Sequence, residues 1–337
     1  MAGGSVNHRR RFVFLVGASA LAAPLVTGAQ RAGKVPRVGV LHAGSSQEPA
    51  ALQREPFERG LRENGWQPGA NVLIEYRYAE GNAAQLHELA AELVRSQVNV
   101  IVARAPVVVR AARQATARIP IVMSGWAGDP VADGMVKSLA RPGGNITGIA
   151  NFRELDGKRL ELLKDTFPLI RRVAVLVNPG FDAGRHGEYI NTLQDNARAL
   201  KLQLEIFEIK QAGELENSFA AMARAKVDAL LVRGDPQVLD PNRTVVVALA
   251  ARHRLPAVYW FRFMADAGGL MSYGESLSGM HHLSATYVSR ILRGANPGEI
   301  AIEQPGIFEL TINLRTAKAL GVEIPKTVLF RADHLIQ

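Results

Sequence analysis

Arg37-Val38-Gly39-Val40-Leu41 decides the fold, because the same pattern returns further along the chain as Arg172-Val173-Ala174-Val175-Leu176. Each copy is a short apolar run of the kind that forms a strand buried on both faces of a parallel sheet. Both copies open the same succession of strands and helices. After the first come a helical stretch from about Pro49 to Asn64, stopped at Gly65, a strand over Val72 to Tyr78, and a helix near Ala83 to Ser96. A strand over Val98 to Ala103, a helix near Val107 to Ala117 and a strand over Ile119 to Ser124 complete that unit. After the second come a helix near Gly187 to Leu200, a strand over Gln203 to Ile209 and a helix near Glu214 to Ala225. The strand over Val227 to Val232, the helix near Asn242 to His253 and the strand over Ala257 to Trp260 close it. Val98-Asn99-Val100-Ile101-Val102 matches Val227-Asp228-Ala229-Leu230-Leu231, and Ile119-Pro120-Ile121-Val122 matches Leu255-Pro256-Ala257-Val258. A period of about 130 residues is too long for a solenoid and signals two similar α/β lobes. Ligands of such sheets bind outside the carboxyl ends of the strands, so two lobes facing each other with those ends enclose a binding cleft.

At 337 residues, 47% apolar and 6% aromatic, the chain has material for two cores, and disordered or fibrous architectures are excluded. The formal charge of +9 falls to +6 without Arg9, Arg10 and Arg11, and the remaining Lys and Arg are interspersed with Asp and Glu. That is a solvated surface, and no nucleic-acid partner is expected. The absence of cysteine excludes disulfides, thiolate nucleophiles, Cys-based metal sites and a lipidated cysteine anchor.

His8 to Arg11 are basic, Phe12 to Val26 are apolar apart from Ser19, and Thr27-Gly28-Ala29 supplies small residues. This order predicts a secretory signal peptide over residues 1–29, cleaved after Ala29. Its apolar part is shorter than a spanning helix needs and is interrupted by Pro24. Arg9-Arg10-Arg11-Phe12-Val13 also fits twin-arginine export, so the Sec and twin-arginine routes both stay open. The expectation is a periplasmic protein, neither lipid-anchored nor membrane-spanning.

Catalytic motifs are missing. No Gly-x-Gly-x-x-Gly or phosphate loop follows the first strand. Gly274-Glu275-Ser276-Leu277-Ser278 resembles a nucleophile elbow but lacks its final glycine. His281 and His282 are neighbours, which a helix points about 100° apart, and no His-Glu-x-x-His accompanies them. No catalytic residue, metal or cofactor is expected. A sugar-responsive repressor needs a helix-turn-helix ahead of the first lobe, where this chain carries its leader.

Several runs resemble a single family: Gly128-Asp129-Pro130-Val131, Ala140-Arg141-Pro142-Gly143-Gly144-Asn145-Ile146-Thr147-Gly148, and Gly157-Lys158-Arg159-Leu160-Glu161-Leu162-Leu163-Lys164. Ala174-Val175-Leu176-Val177-Asn178-Pro179, Ala267-Gly268-Gly269-Leu270-Met271-Ser272-Tyr273-Gly274 and Leu314-Arg315-Thr316-Ala317-Lys318-Ala319-Leu320-Gly321, with Ile324-Pro325, extend the likeness over almost everything after the leader. The family is the substrate-binding proteins of ABC transporters with the type I periplasmic binding fold, which includes tryptophan-uptake proteins. The resemblance implies two Rossmann-like lobes with parallel sheets joined by a three-segment hinge, crossed near Asn151, Gly274 and Asn313. The first lobe would hold residues 36–150 and 275–312, and the second 151–274 and 313–337. The helix around Ser278 to Leu292 would return to the first lobe, and that from Arg315 to Leu320 would sit with the second. It also implies a monomer that captures a small organic solute, an amino acid or organic acid, and docks on an ABC permease. The alternatives are a periplasmic sensor that reports to a receptor and an α/β-hydrolase-type enzyme.

Ligand contacts are expected in the loops after strand ends, where backbone donors and short polar side chains converge. Ser45 and Ser46 follow the first strand and either cap a helix or bond the ligand. Arg104-Ala105-Pro106 follows the third, where the family often carries glycine and a hydroxyl residue; Arg104 is read as a fork for a carboxylate or as a surface residue. Trp126 and Asp129 flank the loop after the fourth strand, with Asp129-Pro130 also a helix-start signal. The second lobe offers Asn178, Gly180, Asp235, Tyr259 and Arg262, with Asp235 resembling a pocket position of the family. Tyr273 stands at a crossing and is read as cleft lining or hinge packing.

Overall fold

The computed structural model describes residue 1 and residues 34–46, 53–151, 155–180, 186–235 and 237–337; beyond Met1, the expected leader lies outside them, as does the expected helix start at Pro49. Residues from Val35 onward form one compact unit built on two sheets. In the first lobe β1 (Arg37–His42), β2 (Leu73–Tyr78), β3 (Val100–Ala103), β4 (Ile121–Ala127) and β5 (Ile146–Asn151) lie in the order β2-β1-β3-β4-β5, all parallel. The connections carry α1 (Arg54–Glu63), α2 (Leu86–Arg95) and α3 (Pro106–Ala115). Leu86, Ala90 and Leu93 of α2 recur at helical spacing and are fully buried, so the helix has one face to press on the sheet.

The second lobe repeats the plan. Its strands β6 (Arg172–Val177), β7 (Gln203–Glu208), β8 (Ala229–Val232), β9 (Ala257–Tyr259) and β10 (Met271–Glu275) run in the order β7-β6-β8-β9-β10. Substituting position for position, this is the order of the first sheet. β11 (Phe308–Asn313) and β12 (His334–Ile336) extend it beyond β10, and β11 is antiparallel to β10. The helices are α4 (Asp156–Thr166), α5 (His186–Ala199), α6 (Leu215–Ala225), α7 (Arg243–Arg252) and the short α8 (Arg262–Asp266).

Near-identical fasteners close the amino ends of both sheets. The Arg37 amide donates to Asn99 Oδ1 and the Arg172 amide to Asp228 Oδ2, each at 2.8 Å. The Arg37 Nε donates to Glu75 across the strand pair at 2.7 Å, as the Arg172 guanidinium does to Glu205 at 2.8 Å. The internal repeat read from sequence is thus a repeat of contacts.

α9 (Leu277–Leu292) packs on the first lobe, against α1 and the sheet. Trp66 Nε1 donates to Ser289 Oγ at 3.0 Å, and a Cβ at Gly60 of α1 would lie 2.6 Å from the His282 carbonyl, so only glycine lets the two helices approach this closely. α10 (Leu314–Leu320) sits in the second lobe, where Thr316 Oγ1 donates to the Gly268 carbonyl at 2.8 Å, followed by α11 (Lys326–Leu329).

The third passage between the sheets differs from the expectation. Glu303 still bonds the first sheet, accepting from the Ala150 amide and donating to the Gly148 carbonyl, both at 3.0 Å, whereas Phe308 already pairs with Glu275 of β10. The crossing therefore lies at residues 304–307, and Asn313 is instead a strand-to-helix junction whose Oδ1 accepts from the Thr316 amide. The second and third passages leave the second sheet side by side: beyond the β10–β11 ladder, the Ser276 amide still donates to the Ile307 carbonyl at 3.0 Å.

Candidate ligand-binding cleft

In both sheets the strand order reverses at the first strand, between β1 and β3 and between β6 and β8, and that is where an open α/β sheet has its crevice. Arg104 comes directly after β3 and Arg233 directly after β8, at matching register, since Val38 pairs with Val100 and Val173 with Ala229. The two arginines have different surroundings.

Arg233 is buried in a network of its own lobe. Its guanidinium carbon lies 3.5 Å from the Tyr189 ring centroid and its Nε 3.8 Å from Asp156. Asp156, fully buried at the start of α4, also accepts from Arg159 at 2.5 Å and from the Tyr189 hydroxyl at 2.9 Å, while Arg159 Nε donates to the Tyr273 carbonyl at 2.6 Å. Tyr273 is thereby tied, through its backbone, to this buried charge network.

Arg104 has no carboxylate partner among the described residues and lies 5.7 Å from the ring centroid of Phe261, which belongs to the loop after β9 in the other lobe. A cation over an aromatic face at this distance is attracted by the ring quadrupole. Next to it Ala105 holds φ at 75°, outside ordinary side-chain territory, and Pro106 opens α3. The Ala105 amide donates to the Gly125 carbonyl at 3.0 Å, which fixes this backbone at the mouth of β3 and β4.

Around Arg104 the first lobe gathers residues that no sequence motif marks. His42, the last residue of β1, stacks on Tyr78 with centroids 5.2 Å apart and lies 6.0 Å from His281 in the first turns of α9. The Ser124 hydroxyl of β4 lies 3.2 Å from His281 Nδ1, and the buried His281 Nε2 has no hydrogen-bond partner among the described residues. Burial, then the charges of Arg104 and Arg54, pushes the His42 imidazolium from 6.5 down to about 3. Burial, then His42 and Arg104, holds His281 well below its ordinary value. Both rings are neutral at pH 7. Arg54 lies over the Tyr76 ring at 4.6 Å and donates to the Tyr78 hydroxyl at 3.4 Å. His282, by contrast, points outward to Glu63 at 2.6 Å, so the neighbouring histidines diverge as helical geometry requires.

The other expected contacts differ in their surroundings. Ser45 and Ser46 fasten the β1 loop to Glu80, whose carboxylate accepts from the Ser46 amide at 2.9 Å; these bonds hold it below the usual range. Asp129 accepts from the Val131 amide at 2.8 Å and caps a turn, where a helix was expected, because the chain turns at Gly134 with φ 65°. Asn178 Nδ2 donates to Asp235 at 3.1 Å and its Oδ1 receives the Gly180 amide at 2.9 Å. The buried Asp235 further accepts from the amides of Gln237, Val238 and Leu239, so its carboxylate organises the loop. Trp126 and Tyr259 are buried in the cores: Trp126 Nε1 donates to Asp133 at 3.0 Å beneath Arg110, and burial pushes the Tyr259 phenol up. Arg262 is surface-exposed and opens α8, with its Nε 3.5 Å from Asp266.

Among the described residues no group of His, Asp and Glu is placed to hold a metal ion, and no helix is long and apolar enough to cross a membrane.

Two doubly wound lobes meeting at their strand ends define the fold of type I periplasmic binding proteins, and the solved structures that resemble this chain carry it. One is a conserved domain protein from Vibrio cholerae O1 biovar El Tor, 27% identical, covering 90% of this chain and all of that one with a TM-score of 0.80. Another is an ABC domain from Streptococcus pneumoniae solved with L-Trp, 24% identical, with the same coverage and TM-score. The profile described as ABC transporter substrate binding protein matches residues 45–336, and the chain belongs to that family. A curated relative is the tyrosine-binding protein of Clostridioides difficile, 25% identical over 270 residues, which span 80% of this chain and 76% of that protein.

Proposed function

We propose that this protein captures a small carboxylate-bearing solute, an amino acid or an aromatic acid, between its lobes and delivers it to an ABC permease in the inner membrane. The observation that carries this reading is Arg104: a guanidinium at the switch point of the first sheet, unpaired by any carboxylate among the described residues, facing an aromatic ring of the opposite lobe. A guanidinium fork with nearby aromatic faces suits a carboxylate attached to a flat ring. The names of two similar proteins support it, one being tyrosine-binding and the other solved with L-Trp. The protein works in the periplasm as a monomer, is exported by its leader through the Sec or twin-arginine route, and performs no catalysis. Ligand contacting both lobes shifts them toward a closed form that the permease recognises. Ser45, Ser46, Ala105 and Asn178 shape the rims of the cleft, and Tyr273 lines its hinge side.

A thermal-shift panel of amino acids, aromatic acids, dicarboxylates, sugars and nucleosides tests this. A ligand at about a hundredfold over its dissociation constant stabilises by about 2.7 kcal/mol, a shift of a few degrees in a chain of this size. Saturable shifts confined to carboxylates are expected. A response to sugars or nucleosides alone overturns the reading.

A further inference from the structure

The buried histidines under Arg104 are costly residues to place there. His42 and His281 are 5% and 2% exposed, and two apolar side chains would fill the space without their desolvation penalty. Among the described residues neither meets a carboxylate. The groups facing them are Arg54 from α1, Tyr78 from β2, Arg104 after β3 and Ser124 from β4, together with each other. Every charge in that set is positive. Ser124 satisfies one nitrogen of His281, and Nε2 is left with no partner among the described residues.

We propose that the His42–His281 pair receives a proton when a carboxylate ligand seats beside Arg104, so that this cleft binds its anion more tightly as the medium acidifies. The inference rests on the proposal that the cleft takes a carboxylate. In the empty site Arg104 and burial both oppose an imidazolium, and the rings stay neutral. A carboxylate placed against Arg104 cancels that charge and adds an attractive one in surroundings where water screens little. The imidazolium then becomes the favoured form in the bound protein, and binding takes up a proton. Linkage gives the sign: affinity is greatest below the raised bound-state pKa and is lost as pH rises through it. Tyr78 stacks on His42, and His281 lies 6.0 Å from His42 with its ring tilted, so one proton on the pair disfavours a second.

Isothermal titration calorimetry of the purified protein with L-tyrosine, L-tryptophan and benzoate tests this, in buffers of low and high ionisation enthalpy. None of these probes changes charge appreciably between about pH 5.5 and about pH 8, so exchanged protons report on the protein. Expected is an uptake approaching one proton at about pH 5.5 and about none at about pH 8, with affinity about tenfold weaker at the upper pH. His281→Gln and His42→Gln, each keeping an amide for hydrogen bonding, are expected to bind with a flattened pH dependence. Binding without proton uptake in the wild-type protein overturns the proposal while leaving the carboxylate reading in place, and that measurement needs no variant. An undiminished pH slope in both variants overturns it as well. If none of the three carboxylates binds, the reading of the cleft falls and the proton coupling with it.

Discussion

The two lobes agree at one edge of their sheets and part at the other. At the amino ends, Arg37 with Glu75 and Asn99 repeats as Arg172 with Glu205 and Asp228, bond for bond. At the carboxyl ends, Arg104 and Arg233 hold the same register but opposite circumstances: one faces the other lobe without a carboxylate among the described residues, the other is enclosed with Asp156 and Tyr189. A duplicated scaffold retains the contacts that hold strands in register, since both copies face that need equally. The ends that face the other lobe have no such reason to match. One lobe leaves its arginine without a carboxylate among the described residues, while the other uses the equivalent charge for its own cohesion.

Substitution separates these roles, and the largest effect is expected at Asp156. Asp156→Ala leaves the buried Arg159 without its carboxylate and deprives Arg233 of a nearby one, at a cost of about 3–5 kcal/mol in the unfolding free energy. Denaturant unfolding measures it; a loss below about 1 kcal/mol breaks the contrast between the lobes. Arg104→Ala comes next. It is expected to weaken carboxylate binding by about 2–3 kcal/mol, thirtyfold or more, with the melting temperature of the unliganded protein little changed. Calorimetry and a thermal melt check the two halves of that statement.

The histidines give a pH signature without ligand. A folded-state pKa held below the unfolded value means that the unfolded chain binds more protons between the two, so stability falls as pH drops through about 6.5 toward about 3. Each fully depressed histidine contributes about 1.4 kcal/mol per pH unit within that window. Unfolding midpoints between about pH 6.5 and about pH 5, above the main titration of carboxylates, are expected to slope in the wild-type protein and less in His42→Gln. The smallest effects belong to the matched fasteners. Glu75→Ala and Glu205→Ala are each expected to cost about 1 kcal/mol or less, since both pairs lie near the surface, and unequal losses in denaturant titrations sharpen where the lobes differ.

The duplicated βα order was legible because buried parallel strands leave continuous Val and Ile runs, and the repeat itself marked the second lobe. β11 was not, because an antiparallel strand on the hinge carries no repeat partner, and the crossing near Asn313 rested on the family resemblance alone. For the cleft, Arg104 stood out as a loop residue after a strand. His42 closes a strand, Ser124 lies within one, and His281 was weighed only for metal-binding spacing, so none was gathered with it. Their proximity depends on α9 folding back onto the first sheet, a long-range event that no local pattern announces. Trp126, Tyr259 and Asp235 lie near strand ends too, and no local pattern encodes the direction of their side chains.

The pairing of β10 with β11 carries a mechanical consequence. Because Glu275 pairs with Phe308 and the Ser276 amide still bonds the Ile307 carbonyl, two of the three passages form a laminated strap, with the plies cross-bonded where they leave the second sheet. A strap of two bonded plies resists shear between them and yields to twisting and flexing as one. The closure proposed above would therefore carry both strands together, like a door hinge with a preferred axis, whereas three independent tethers would leave the lobes free to wander.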